Sequence, residues 1–220
     1  MIQFIECEQG TDTWYAARLG IPTASCFATV MAKGKDGGAS KTRAEYMRKL
    51  AGEILTQRPM ESYSNGHMER GKEWEPDARN MYAFMRDCEP QLVGFIRNGQ
   101  KGCSPDSLLG NDGGLEIKSA AAHIQVERLL ANKLPAEHRA QVQGNIWVAE
   151  REWWDFTSYC PGLPLLIVRE YRDDEYIAKC EAAVDQFNDE LAEMVERVRR
   201  LGGEGPSLGD TLNASLEAAA

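Results

Sequence analysis

The chain holds 220 residues, 43% of them apolar and 27% charged, which suits one large domain with a substantial core. No apolar run is long enough to span a bilayer and no secretory leader opens the chain. Six cysteines (Cys7, Cys26, Cys88, Cys103, Cys160, Cys180) form no Cys-x-x-Cys pair, which sets aside a zinc module or a disulfide scaffold and fits reduced thiols in a cytoplasmic protein. The net charge of −9 looks wrong for a nucleic-acid partner, but it is unevenly spread. From Arg18 to Arg58 there are eight Lys/Arg against three Asp/Glu, whereas from Glu181 to Ala220 nine acids face three arginines. A basic N-terminal region is therefore available to phosphates.

In chain order the first third reads as helical. Thr11 caps a short helix carrying Trp14 and Tyr15, and Thr23 is placed to cap a second with Phe27 and Val30 inward. Thr42 to Gln57 is amphipathic, with Tyr46, Leu50 and Ile54 on one face and Arg43, Arg48 and Lys49 elsewhere. A further helix is predicted over 66–86 with Trp74, Ala78, Tyr82 and Met85 inward, and Pro76 predicts a kink or a fresh start near Glu75. Strands follow over 91–97 and around Asp106 and Glu116. Next come helices over 123–131 and 136–149, strands over 152–159 and 165–171, and a long charged helix from Asp173 to about Leu201. Trp153 and Trp154 are read as sheet packing rather than a base-stacking platform. The order predicts an α/β fold, a mixed central sheet flanked by helices, with one domain over 1–201 and a disordered tail over 202–220.

The chemistry concentrates in Cys103-Ser104-Pro105-Asp106 and, ten residues after Asp106, Glu116-Ile117-Lys118. Residues i and i+2 of a strand share a face, so Glu116 and Lys118 project together while Ile117 turns away. Gly110-Asn111-Asp112-Gly113-Gly114 is turn chemistry, and a hairpin there returns Asp106 to the side of Glu116. Two carboxylates and an ammonium then meet. Carboxylates suit Mg²⁺, a hard ion that prefers oxygen, with Mn²⁺ as a substitute; such an ion can hold a phosphodiester and acidify a water. Asp106 and Glu116 would be the anchors, and the Ile117 carbonyl a neutral ligand. Lys118 would orient or deprotonate the water, helped by a pKa lowered near the metal, or steady charge on the phosphorane. Glu75, on the preceding helix, offers a third carboxylate. An acid followed by Glu-x-Lys is common by chance. An exposed Glu116–Lys118 pair and a Glu75–Arg79 pair one helical turn apart are the ordinary accounts.

Four separated blocks narrow the choice: Arg18-Leu19-Gly20-Ile21-Pro22-Thr23-Ala24-Ser25; Gly71-Lys72-Glu73-Trp74-Glu75 running on to Asp77-Ala78-Arg79; the Asp106 and Glu116–Lys118 motif; and Ala140-Gln141-Val142-Gln143 with Trp147-Val148. In this order and spacing the chain resembles the bacteriophage lambda-type exonucleases, the YqaJ-like viral recombinase group of alkaline exonucleases. The resemblance implies a restriction-endonuclease-like core and Mg²⁺-dependent, processive 5′→3′ digestion of one strand of linear duplex DNA to mononucleotides. It implies metal ligation by Glu75, Asp106, Glu116 and the Ile117 carbonyl, with Lys118 catalytic. Arg18, Ser25, Ser104 and Gln141 match positions that hold the 5′-phosphate. A homotrimeric ring, a single-strand annealing partner for the 3′ overhang and a bacterial host cell of a phage or prophage are implied in the same way. An apolar strand-separating wedge is implied too, with Met60 and Met68 in its region. Ser119-Ala120 after Lys118, where relatives carry Cys-Pro, is a departure. An endonuclease on the same core and a non-catalytic DNA-end-binding protein are the alternatives.

Overall fold

The computed structural model describes residues 1–34, 37–60 and 66–202, without the side chains of 66–70 and 72. The tail expected beyond Gly202 lies outside the described residues, as does the side chain of Met68. Two sheets organise the rest. One is antiparallel, in the order β1 (Ile2–Ile5), β2 (Phe95–Asn98), β3 (Lys101–Cys103). The other is mixed, in the order β4 (Ser107–Leu109), β5 (Gly113–Ser119), β6 (Trp153–Tyr159), β7 (Leu166–Tyr171). Only β5 and β6 run parallel, and the crossover between them carries helices α5 (Ala122–Ala131) and α6 (Arg139–Ala149). The expected mixed sheet is present. β1, which the helical reading of the first third omitted, closes the smaller sheet, and the strand expected over 91–97 is confined to β2 plus a single bridge from Gln91 to Leu108.

The central strand β6 is buried on both faces. Trp154 and Phe156 enter the main core with α6 and the long C-terminal helix α7 (Asp174–Gly202), while Tyr159 joins a second core with Ala78 and Tyr82 of α4 (Gly66–Arg86). Gly114 is what allows the sheet to close there. A Cβ on it would stand 2.3 Å from the Trp154 ring. Helix α7 buries Ile177, Cys180, Val184, Phe187, Leu191 and Val195, a stripe spaced by three and four residues. That stripe packs on α3 (Lys41–Thr56) and on α2 (Phe27–Met31).

Four local expectations are corrected. Arg43, expected off the apolar face of its helix, is nonetheless 7% exposed: its Nε donates to the Val30 carbonyl at 3.1 Å and its guanidinium pairs with Glu190 of α7 at 2.6 Å. A buried guanidinium is tolerated because it is paired and hydrogen-bonded. Met85 of α4 is 55% exposed instead of inward, and the helix continues through Pro76 with no fresh start. Thr23 makes no capping bond, and Ala24–Cys26 form a 3-10 turn ahead of α2. Ser40 does cap α3, accepting from the Arg43 N–H at 3.1 Å, and Thr11 caps α1 (Asp12–Arg18).

Candidate active site

The β4–β5 hairpin forms as the turn chemistry requires, pairing Ser107 with Leu115. Asp106 stands immediately before β4, and its Oδ2 accepts from the Ile117 N–H at 2.5 Å. The acid is thus fixed beside the Glu116-Ile117-Lys118 strand. Ile117 turns its side chain into the second core, among Leu115, Tyr82 and Ala78. Glu116 and Lys118 share the opposite face, where Lys118 Nζ meets Glu116 Oε1 at 2.5 Å. Glu116 is 2% exposed, so its charge is carried by donors. Gln141 Nε2 reaches Oε1 at 2.6 Å and Asn145 Nδ2 reaches Oε2 at 2.9 Å. These amides lie one turn apart on α6, a helix buried along most of its length. Gln141 therefore touches a candidate metal ligand.

Glu75 reaches the same place from α4 and is paired with Arg79 one turn later. Arg79 also donates from Nε to Ser107 Oγ at 3.0 Å and toward the Asp106 carbonyl at 3.3 Å. It splints α4 to the start of β4. The resulting electrostatics are unbalanced. Burial raises the pKa of Asp106 well above the ordinary carboxylate range, and Glu116 and Glu75 push it further, while Lys118 and the Ile117 N–H oppose. Burial works against the charge on Lys118, but Glu116 and Asp106 outweigh it and raise its pKa. In this arrangement Lys118 is a cation.

Among the described residues, no three His, Cys, Asp or Glu side chains are set to grip an ion as they stand. Glu116 and Glu75 are turned onto Lys118 and Arg79 instead. The donor chemistry nonetheless fits a hard divalent cation. Glu116 and Glu75 both lie near enough to act on Asp106, and Asp106 is held in an environment that penalises its charge.

Arg18 lines a cleft of about 1180 Å³ whose lining also includes Glu53, Met60, Glu75, Arg79 and Asp106. Ser104 Oγ accepts from Arg18 at 2.9 Å and from Trp14 Nε1 at 2.9 Å, and the Arg18 guanidinium lies 4.1 Å over the Trp14 ring. Burial lowers the pKa of Arg18, against the opposing effects of Tyr46, Cys26 and Glu53. The Pro22–Thr23 segment is brought here by β3, since the Gly102 N–H donates to the Pro22 carbonyl at 3.1 Å. Ser25 is exposed and bonded to Thr23 at 3.2 Å, so the structure does not join it to Arg18 and Ser104. Met60 is 48% exposed at the cleft edge.

Sequence reasoning missed Asn145, treated Arg79 only as an ion-pair partner, and gave Trp14 no role at the site. Asn145 had one available signal: it stands four residues after Gln141 and so shares its helix face.

Residues 13–152 match the family model described as the YqaJ-like viral recombinase domain. The structure is similar to that of LHK-Exo solved in complex with dAMP, with 35% identity, a TM-score of 0.81, and 88% of this chain and 99% of that chain covered. The structure of the alkaline exonuclease LHK-Exo from Laribacter hongkongensis gives 34% identity and a TM-score of 0.80 over the same shares. A phage-related exonuclease from Haemophilus somnus 129PT, 14% identical with a TM-score of 0.61 over 81% of this chain and 96% of that one, shares the fold. No curated protein matches the chain in sequence.

Proposed function

The chain belongs to the YqaJ-like viral recombinase family and is a nuclease, and from that premise we propose that it digests linear duplex DNA from phosphorylated 5′ ends in a Mg²⁺-dependent, processive reaction. The observation that carries this reading is one cleft lined both by the carboxylates Asp106 and Glu75 and by an arginine bonded to Ser104, two residues before Asp106. Asp106, Glu116, Glu75 and the Ile117 carbonyl would hold the cation, Mg²⁺ or Mn²⁺ in its place, once Glu116 and Glu75 turn from their present partners. The ion would supply positive charge at the phosphodiester and acidify a water. Lys118, a cation beside Glu116, donates from Nζ to the phosphate oxygens as charge develops there. Gln141 and Asn145 hold the Glu116 carboxylate in place, and Arg79 keeps Asp106 against β5.

Arg18 and Ser104 form the anion site for the 5′-phosphate, its guanidinium offering a forked set of donors. Ser25 and Gln141 complete the group proposed for that phosphate. Hydrolysis breaks the bond between phosphorus and the 3′ oxygen of the terminal nucleotide. The released mononucleotide carries a 3′-hydroxyl, and the shortened strand carries a new 5′-phosphate. Each cut thus recreates the substrate. The dAMP in the LHK-Exo complex is a product of this class. A homotrimeric ring around the duplex, a single-strand annealing protein receiving the 3′ overhang, and action in the cytoplasm of a bacterial host complete the proposal. Among the described residues no helix is long and apolar enough to cross a membrane.

The test is digestion of linear duplex labelled at either end, with and without a 5′-phosphate, in Mg²⁺ and in EDTA. Release of 5′-labelled mononucleotides only in Mg²⁺, fastest from phosphorylated ends, is expected. Rapid nicking of circular duplex would replace the exonuclease with an endonuclease, and no metal-dependent hydrolysis would leave only end binding.

A further inference from the structure

Glu53 of α3 is 7% exposed and lines the cleft together with Arg18, and among the described residues no basic side chain forms an ion pair with it. Both of its oxygens are spent on backbone. Oε2 accepts from the Gly20 N–H at 3.0 Å, and Oε1 accepts from the Met60 N–H at 3.4 Å. A carboxylate is costly to bury and is rarely used merely to satisfy two amides.

What it fixes is the turn that follows Arg18. Gly20 has φ +73°, and the turn closes through the Ile21 N–H to the Arg18 carbonyl at 3.4 Å. From the other side Gly20 is pressed on Ile54, the next residue of α3: a Cβ on Gly20 would stand 2.5 Å from Ile54 Cγ1. Two adjacent α3 residues thus clamp one glycine, by a charged hydrogen bond and by contact. The glycine is two residues from the guanidinium that holds Ser104. The Glu53 charge also acts on Arg18 directly, favouring its cationic form against burial. Through the Met60 N–H the same carboxylate also holds a second segment of the cleft lining.

We infer that Glu53 is a positioning residue that sets the preference for a phosphorylated 5′ end, by fixing the Arg18–Ile21 turn and the Met60 backbone in one arrangement. The inference rests on the reading of Arg18 and Ser104 as the 5′-phosphate site. Glu53 touches neither substrate nor cation; it keeps Arg18 aimed before the anion arrives.

The experiment measures kcat and KM on linear duplexes with a 5′-phosphate and with a 5′-hydroxyl, at saturating Mg²⁺, for the wild type, Arg18→Gln and Glu53→Gln. Glutamine keeps the shape of Glu53 but must turn an amide donor toward one of the two N–H groups. The ratio of kcat/KM between the two ends should fall about tenfold in Glu53→Gln, the scale of one charged hydrogen bond. The loss should appear in KM on the phosphorylated duplex, with the hydroxyl end unaffected. Equal losses on both ends would show a merely structural role and overturn the inference, as would an unchanged ratio. Gly20→Ala, which leaves Glu53 intact and strains the same turn, keeps the test available if Glu53→Gln does not fold; a wild-type ratio in Gly20→Ala also overturns it. A wild-type ratio near one, unchanged in Arg18→Gln, would instead remove the phosphate site itself.

Discussion

Two groups of side chains along the cleft, one at the β4–β5 hairpin and one at α1, solve opposite electrostatic problems. At the hairpin three carboxylates gather around one lysine and one arginine, and Asp106 retains a raised pKa despite them. At α1 a single arginine is stacked on Trp14, bonded to a neutral hydroxyl and attended at a distance by Glu53. One group is short of positive charge and the other keeps a cation only lightly engaged. The contrast assigns them different tasks: a divalent cation is attracted to the first, an anion to the second, and a DNA end with both a phosphate and a scissile bond spans them.

Breaking the carboxylate cluster should have the largest effect. Lys118→Ala is expected to lower turnover about a thousandfold, the scale of losing one preorganised charge donor, while the preference for phosphorylated ends survives in the residual activity. End-labelled digestion under single-turnover conditions measures both quantities. Undiminished hydrolysis in this variant would place the chemistry elsewhere.

Arg18→Gln should sharpen the contrast from the other side. It is expected to cut the advantage of a 5′-phosphate by about tenfold to a hundredfold, the worth of a charge-assisted hydrogen bond, and to leave the Mg²⁺ dependence alone. Asn145→Ala removes one of the two amides on Glu116. It should weaken Mg²⁺ dependence by about tenfold, as loss of a group that orients a metal ligand does, with no change in end preference. Mg²⁺ titrations of the initial rate read both outcomes.

The smallest effect concerns stability. Asp106 binds its proton more tightly in the folded chain than in the unfolded one, because burial and its acidic neighbours raise its pKa. Between the unfolded value near 3.8 and the raised folded value, the folded state therefore holds more protons, and stability falls as pH rises through that window. In EDTA, lowering the pH through the window should raise the unfolding midpoint, and Asp106→Asn should flatten this dependence. Thermal unfolding across pH checks it.

Much of this was legible in the sequence. The α7 stripe follows the helical period, and Asp106, Glu116 and Lys118 could be placed from a period of two and a glycine-rich turn, since all of that information is local. What escaped notice depends on partners far along the chain. β1 is four residues long and pairs with β2, at least 90 residues away. Arg43 looks like a surface residue until Glu190 arrives from α7. Asn145 and Glu53 are ordinary residues for exposed helix positions. Their roles appear only when β5 is laid against α6 and the Gly20 turn against α3.

The division of labour along the cleft is tested most directly by one Mg²⁺ titration of single-turnover hydrolysis, on 5′-phosphorylated linear duplex, with the wild type, Asp106→Asn and Arg18→Gln side by side. The account predicts no metal-saturable hydrolysis in Asp106→Asn, and in Arg18→Gln an unchanged Mg²⁺ midpoint with a raised requirement for DNA. Retained saturable hydrolysis in Asp106→Asn, or a displaced Mg²⁺ midpoint in Arg18→Gln, would contradict it.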